Sequence, residues 1–340
     1  QKEGEGKMKK QIISIIVIAY NIPRQAFNTL LSFAPDYQQD VDADDYEVVI
    51  VENRSARNMD AASIEKLPGN FRYFIREEKG VSPAAAINFA VGVAKGKYIG
   101  LLIDGARMVT PGVVRHALMA FKMNDEALVV VPGYHLGEHE QQFNLEYGYT
   151  EDTEKALLDE IDWRNNGYRL FDISCNCGAN RNGFFHPFLE CNCIFVSKKI
   201  FEEIGGASER FDLPGGGALN LYIYFKLATH PDTEPFLLAG EGSFHQIHGG
   251  VTTSGKEDRD ALLEKIREQL HEILGHPFRS PTVEFTFLGK IRGPSLRYLK
   301  FSVEKGIRRF TRLDTEGRDP YEDDRRKRKH RKLISSSSEN

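Results

Sequence analysis

The sequence has no long hydrophobic run. Its longest apolar stretch, residues 12–20, has the length of a β-strand, whereas a helix needs roughly 20 apolar residues to cross a bilayer. The amino terminus also lacks a basic region followed by an apolar core, so it does not resemble a secretory signal. We therefore expect a soluble, cytoplasmic protein. Its 340 residues, 41% of them hydrophobic, are enough to bury a substantial core.

Two nucleotide-binding motifs and a common zinc spacing are also absent. No G-x-G-x-x-G follows the first predicted strand, which argues against a dinucleotide-binding domain, and no P-loop pattern occurs. The only cysteines form two C-x-C pairs, Cys175 with Cys177 and Cys191 with Cys193, and each pair is expected on one face of a strand. Zinc sites usually use C-x2-C, so we favour reduced, packed cysteines over zinc or a disulfide.

A strongly basic body is absent too, since the formal net charge is −4. Residues 325–332 (RRKRKHRK) contain seven Lys or Arg, so the rest of the chain carries about −11, which argues against nucleic-acid binding. The basic run is most simply a solvated tail. Its attraction to an anionic lipid surface, as a peripheral contact at the inner face of the membrane, is a hypothesis.

Strand-like and helix-like patterns alternate through the first hundred residues. Strands are predicted for residues 12–19, 47–51, 71–75 and 98–103, and helices for residues 24–33 and 83–94. This order predicts an α/β fold, with a mostly parallel mixed sheet flanked by helices and a C-terminal helical extension.

The second half is less regular. We predict strands at 127–132, 191–196 and 236–239, helices at 113–121, 199–204, 219–229 and 257–274, and irregular structure over 275–306. Residues 133–182 are polar, aromatic and loop-rich. Loops of this length in a compact chain are usually functional.

The central stretch is residues 96–111 (GKYIGLLIDGARMVTP). The run YIGLLI does not alternate, so both faces of this strand should be buried. Asp104 follows at its carboxyl end, where open α/β sheets bind ligands and a carboxylate can hold a divalent cation against phosphates. Gly105 and Ala106 keep the backbone small and close to a ligand, and Pro111 is expected to begin the next helix.

The order of these motifs resembles family 2 glycosyltransferases of the GT-A fold. The resemblance is carried by residues 14–21 (SIIVIAYN), 47–55 (EVVIVENRS), 80–88 (GVSPAAAIN), 94–111, 190–196, 205–217 and 245–250. It implies a GT-A-type transferase domain over residues 8–255. A helical or irregular extension over 256–313 and a basic, disordered tail over 314–340 are expected to follow.

The resemblance implies a nucleotide-sugar-dependent transferase and assigns roles to several residues. In the family, the loop after the first strand and the acid after the second strand hold the nucleoside. Here these positions are Ala19, Tyr20, Asn21 and Glu52. The helix that contains Asn88 flanks the diphosphate.

Several family motifs are altered in this chain. The D-x-D metal motif falls on Asp104-Gly105-Ala106, so its second acid is missing. The usual V-D-D-G-S is VENRS at residues 51–55. The Glu-Asp pair that supplies the family's catalytic base is Ala218-Leu219.

Two ways of neutralising the diphosphate remain open. In the one we favour, Asp104 and His248 hold Mn²⁺ or Mg²⁺, because His245 and His248 flank a loop that ends in two glycines. In the other, Arg107 supplies the positive charge and the metal is weak or absent. His245 is expected to be structural or to support the metal site indirectly.

Asp212 and Glu190 are the candidate catalytic bases that would take a proton from the acceptor hydroxyl. Asp212 precedes a Pro-Gly-Gly-Gly loop that leaves room for an acceptor, and Glu190 opens a predicted strand. Direct displacement would invert the anomeric centre, which is the family's usual outcome. The acceptor is a saccharide, a lipid-linked glycan or a small molecule.

The missing acids also allow a different class of function, a non-catalytic sugar or nucleotide-sugar binding module on a degenerate transferase scaffold. A nucleotidyltransferase is a weaker alternative. It would carry a glycine-rich, basic signature after the first strand, whereas residues 19–23 read AYNIP.

Overall fold

The structure is a computed structural model that describes residues 12–249 and 256–319. The strands in these ranges are β1 (Ile13–Ala19), β2 (Tyr46–Asn53), β3 (Phe71–Arg76), β4 (Tyr98–Leu102), β5 (Arg107–Val109), β6 (Ala127–Val130), β7 (Gly133–Leu136), β8 (Ser174–Asn176), β9 (Ile194–Ser197), β10 (Glu234–Leu237), β11 (Ser243–His245) and β12 (Thr286–Phe287). The helices are α1 (Pro23–Ser32), α2 (Ala61–Glu65), α3 (Ala84–Val93), α4 (Val113–Met123), α5 (Gln141–Asn144), α6 (Glu151–Glu160), α7 (Lys198–Glu203), α8 (Leu219–Ala228), α9 (Lys256–Leu274) and α10 (Leu296–Glu316).

Eight strands form the main sheet, in the order β12-β10-β6-β9-β4-β1-β2-β3. All of them pair in parallel except β9, which runs antiparallel to both β4 and β6. Every residue of β1 and of β4 is buried, as the absence of alternation in their sequences predicts. The predicted mostly parallel mixed sheet is confirmed.

Two hydrophobic cores lie on opposite faces of this sheet because successive strand residues point to opposite sides. Ile16 and Ile18 of β1 belong to the core that includes buried residues of α3, α7 and α8. Ile15 and Val17 belong to the core that includes buried residues of α1 and α4. Helices therefore cover both faces.

A second, smaller sheet has the order β5-β11-β7-β8. Only residues 103–106 separate β4 of the main sheet from β5 of the small one. Within this link, the Gly105 N–H donates to the Ile18 carbonyl oxygen at 2.8 Å. A Cβ at position 105 would lie 2.5 Å from that oxygen, so glycine is needed here to pack against β1.

Several local predictions are wrong. Pro111 does not begin a helix, since Gly112 caps α4 and Val113 is its first residue. The short strands β7 and β8 lie inside the segment predicted as loop, and β5 and β11 were not predicted. Residues 275–306 are not irregular throughout, because α10 begins at Leu296.

The basic run at residues 325–332 lies outside the described residues, so the predictions made for it stay predictions. Within the described ranges, no helix combines the length and the apolar composition needed to cross a membrane.

Gly100 at the centre of β4 provides a test of the packing. It pairs with Phe195 of β9, and a Cβ at position 100 would lie 2.4 Å from a ring carbon of that buried phenylalanine. We predict that Gly100→Ala lowers the free energy of unfolding by about 1–3 kcal/mol, because the core has no room for the methyl group. Chemical denaturation monitored by circular dichroism measures the effect.

The matched control is Gly92→Ala in α3, where a Cβ would meet nothing within 4 Å. Alanine is the better helix former by about 1 kcal/mol, so this variant should be neutral or slightly more stable. Equal stability of the two variants would contradict the predicted packing of β4 against β9.

Candidate functional site

Asp104, His245 and His248 form a compact cluster beyond the carboxyl end of β4. Nε2 of His245 lies 2.8 Å from Oδ2 of Asp104, and Nε2 of His248 lies 3.7 Å from Oδ1. The two Nε2 atoms are 3.1 Å apart. The three side chains can thus present one oxygen and two nitrogens to a common point, with ligand atoms within 4.8 Å of one another.

The charges in this cluster are strongly coupled. Burial alone would raise the pKa of Asp104, but the two histidines outweigh it and hold that pKa well below its usual value. Burial lowers the pKa of His245 to about 4, although Asp104 opposes the shift. The pKa of His248 is raised, because the attraction of Asp104 exceeds the effect of burial.

The small sheet aligns further side chains beside this cluster. The strand register pairs His245 with Arg107 on one side and with His135 on the other, and His135 in turn with Cys175. Directly paired residues point to the same face of a sheet, so these four side chains form a row across it. The His135 and His245 ring centroids are 4.9 Å apart. Burial, followed by the nearby positive groups, lowers the pKa of His135 well below its usual value.

Arg107 is the buried cation of this row, with only 5% of its surface exposed. Its Nε lies 4.0 Å from Oδ2 of Asp104. Nε and Nη1 are buried and have no hydrogen-bond partner among the described residues. A buried guanidinium with free donors is costly unless a ligand completes its hydrogen bonds.

The loop that contains His248 is held in place by three helices. Glu154 of α6 accepts a hydrogen bond from the Ile247 N–H at 2.7 Å. Gln25 of α1 donates to the Ile247 carbonyl oxygen at 2.6 Å, and Gln141 of α5 donates to the carbonyl oxygen of His248. These bonds fix the backbone on both sides of the histidine.

The two candidate bases have different surroundings. Glu190 accepts hydrogen bonds from Asn220 at 2.5 Å and from Asn192 at 3.3 Å. Burial raises the pKa of Glu190, Arg107 opposes the shift, and Asp104 adds to it. The charges of Asp104 and Arg107 therefore influence the protonation of Glu190. Asp212 is exposed and accepts a hydrogen bond from Gln269 of α9 at 2.8 Å.

The residues predicted to bind the nucleoside follow the end of β1. Ala19 is buried, whereas Tyr20 is 64% exposed and presents its ring to solvent. Asn21 has a left-handed backbone with φ of 58°, and its Oδ1 accepts a hydrogen bond from Arg57 at 3.3 Å. Their nucleoside role stays a prediction.

Glu52 and Asn88 are engaged within the fold. Glu52 is fully buried and accepts hydrogen bonds from the Met59 N–H at 3.0 Å and from the Tyr73 hydroxyl. The Asn88 amide makes reciprocal bonds with the backbone of Ala207, donating at 2.8 Å and accepting at 2.9 Å. These contacts give both residues a structural role, and their predicted ligand roles remain untested.

The cysteine pairs do not meet in a disulfide. All four thiols are free, and Cys177, Cys191 and Cys193 are buried. Burial raises the pKa of these three thiols, which makes them weak nucleophiles.

Sequence reasoning missed the place of His245 in the cluster. The alternation of residues 243–245 is the signal that was available, because it buries Phe244 in the core and turns His245 to the other face of β11. The pairing of β11 with β5, which brings His245 beside Arg107, has no local signature.

The model of the family described as glycosyl transferase family 2 matches residues 14–188, just over half of the chain. A search of curated proteins found no match.

Among solved structures, the chain is similar to S. aureus TarS, with 13% identity, a TM-score of 0.47, and coverage of 77% of this chain and 40% of TarS. It is similar to S. aureus TarS 1-349 in complex with UDP, with 12% identity, a TM-score of 0.47 and coverage of 90% and 74%. It is also similar to the mannosyltransferase PcManGT from Pyrobaculum calidifontis in complex with GDP-Man and Mn²⁺, with 14% identity, a TM-score of 0.46 and coverage of 97% and 80%. The sheet order and the extent of the family match lead to one conclusion: this chain has a GT-A-type fold and belongs to glycosyl transferase family 2.

Proposed function

We propose that this nucleotide-sugar glycosyltransferase moves a hexosyl group to an acceptor hydroxyl with inversion, assisted by a divalent cation at Asp104, His245 and His248. The observation that carries the proposal is the convergence of these three side chains beyond β4. This adds His245 to the predicted pair of ligands. The acceptor classes named above remain alternatives.

The donor set fits a metal ion. Ligands at about 2.1 Å from a metal, and at right angles to one another, are about 3 Å apart. Nε2 of His245 lies 2.8 Å from Oδ2 of Asp104 and 3.1 Å from Nε2 of His248, both close to that value. Nε2 of His248 is 3.7 Å from the other carboxylate oxygen, Oδ1. Two imidazoles and one carboxylate suit a first-row transition ion better than Mg²⁺, which prefers an all-oxygen shell. Of the two predicted ions, Mn²⁺ and Mg²⁺, these ligands therefore favour Mn²⁺.

The bound cation would neutralise charge on the departing nucleoside diphosphate. Arg107 would add a second positive charge, because its unpartnered donors lie beside Asp104 in a buried setting. The attraction between a guanidinium and a phosphate group is stronger at a buried position, because water is excluded there. The exposed ring of Tyr20 would stack on the nucleobase of the donor, next to Ala19, Asn21 and Glu52.

Glu190 is the base that the surroundings favour. Its carboxylate would take the proton of the acceptor hydroxyl while that oxygen attacks the anomeric carbon and the bond to the diphosphate breaks. The raised pKa of Glu190 brings its basicity closer to the working pH, and Asn192 and Asn220 orient it. Asp212 remains the second candidate.

The metal proposal is tested by calorimetric titration of UDP, GDP and dTDP, each with Mn²⁺, with Mg²⁺ and without metal. We expect one nucleotide to bind, tightest with Mn²⁺. Asp104→Asn, His245→Ala and His248→Ala should each weaken that binding by at least about tenfold, because the first removes the negative charge of the carboxylate and the other two each remove an imidazole nitrogen.

His271→Ala, which removes an exposed histidine of α9, is the control and should bind like the wild type. Binding that is the same with and without metal would contradict the cation and favour charge neutralisation by Arg107 alone.

The base is tested by Glu190→Gln and Asp212→Asn, with sugar transfer and donor hydrolysis measured across pH. We expect Glu190→Gln to slow transfer by about 10²–10⁴-fold with unchanged donor binding. The wild-type rate should fall as pH decreases through the raised pKa of Glu190, since protonation removes the base, and this acid limb should be missing in Glu190→Gln. Asp212→Asn should retain the wild-type rate.

The reverse pattern, a slow Asp212→Asn and an active Glu190→Gln, would assign the base to Asp212. Donor binding by the wild type without any turnover would instead support the binding-module alternative. Thermal unfolding of each variant checks that the fold is retained.

A further inference from the structure

Helix α10 has one face fixed to the protein and another that none of the described residues covers. On the inner face, the Tyr298 hydroxyl donates to the Ser174 carbonyl oxygen at 2.7 Å, and Nη1 of Arg309 donates to the Phe185 carbonyl oxygen at 2.6 Å. Gly306 packs so closely that a Cβ there would lie 2.8 Å from the Phe185 ring. The helix is therefore docked in a defined orientation.

The outer face of α10 carries large apolar side chains. Leu296 is 54% exposed, Val303 39%, Ile307 62% and Phe310 48%. Their spacings of seven, four and three residues place them along a single stripe of the helix. Stripes of this kind are uncommon on the surface of a protein that works alone in water.

The stripe continues onto the neighbouring segment. Phe287 of β12 is 41% exposed, and its ring centroid lies 5.4 Å from that of Phe185. The Phe185 centroid is 6.4 Å from that of Phe310. Val303, Ile307 and Phe310 also line an open groove together with Phe185. We call this surface, made of Phe287, Leu296, Val303, Ile307 and Phe310, the α10 patch.

Positive charges outnumber negative charges around the α10 patch. Residues 290–316 contain eight Lys or Arg and three acidic residues, in a chain whose net charge is −4. Of these acids, Glu316 pairs with Arg312, and Asp314 lines the groove beside Ile307. Lys300 and Arg308 are exposed and lie within one helical turn of the apolar stripe. An occupant of this surface must therefore accept apolar side chains and carry negative charge next to them.

We propose that the α10 patch binds an anionic lipid surface, with the helix axis parallel to the membrane plane. Apolar side chains on one stripe, flanked by Lys and Arg, are the composition of helices that lie at the lipid interface. Each Lys or Arg near such a surface adds electrostatic attraction to the anionic headgroups. A second copy of the chain fits less well, because pairing two α10 patches would bring two strongly basic segments together.

The experiment uses the full chain and vesicles of phosphatidylcholine, with or without about one-third phosphatidylglycerol. We expect co-sedimentation with the anionic vesicles, at least about tenfold weaker with neutral vesicles and weakened by salt. Ile307→Asp combined with Phe310→Asp should lower binding at least about tenfold, since it places two acids in the stripe. Lys300→Glu combined with Arg308→Glu should lower it as well.

Met123→Asp is the matched control. It makes the same kind of change at a 62% exposed apolar residue at the end of α4, and should leave vesicle binding unchanged. All substituted side chains are exposed, so thermal unfolding should show an intact fold in every variant.

Three results would overturn the proposal. One is no binding to anionic vesicles at low salt. Another is full binding by the Ile307→Asp, Phe310→Asp variant with loss only when residues 325–332 are neutralised, which would assign the contact to that run. The third is a stable dimer in light scattering that this variant dissociates, without vesicle binding, which would assign the α10 patch to a second copy.

Discussion

The site depends on the charge of one carboxylate, that of Asp104. It stands between the two sheets, because β4 of the main sheet ends just before it and β5 of the small sheet begins three residues after it. Arg107, His245 and His248 come from the small sheet and its following loop, and all three approach this carboxylate. Without it, the buried guanidinium of Arg107 would lose the carboxylate that lies 4.0 Å from its Nε, and the loss of one partner of a buried pair costs several kcal/mol.

A rigid frame holds the histidines against that charge. The backbone of residues 245–248 has little freedom, since Glu154, Gln25 and Gln141 bind it from three helices. Two of these helices, α5 and α6, belong to the long segment that the sequence marks as loop-rich. Part of this segment therefore holds the backbone beside His248 in place.

Sequence patterns were sufficient for the main sheet and insufficient for the small one. Long apolar runs predicted β1, β2 and β4, and helical spacing predicted α1 and α4, because these elements bury a continuous face. The strands β5, β7, β8 and β11 have three or four residues each, which is too short for a periodic signal. Asp104 could be identified as a candidate because it follows a predicted strand. Its contact with His245 could not be predicted, because it depends on pairing between strands that are distant in the sequence.

Helix α10 was missed for a different reason. Its apolar side chains are divided between a buried face that includes Tyr298 and an exposed face that includes Ile307. Gly306 in the middle further weakens the helical pattern, yet it is there because Phe185 leaves no room for a Cβ. The helical spacing of Leu296, Val303, Ile307 and Phe310 was the signal available in the sequence.

The altered positions of the family motifs share one property, which is that their side chains are buried. Ala106, Ala218 and Leu219 are 0%, 0% and 1% exposed, so a carboxylate at any of these positions would lose its hydration within the core. Acidic and metal-binding groups must then come from elsewhere. The ligand atoms of His245, His248 and Asp104 lie within 4.8 Å of one another, where the proposed cation would bind, and Asn220, one residue beyond Leu219, donates a hydrogen bond to Glu190 at 2.5 Å. Residues 106, 218 and 219 are therefore part of the packed core, and polar side chains from neighbouring positions are available for the proposed sugar transfer.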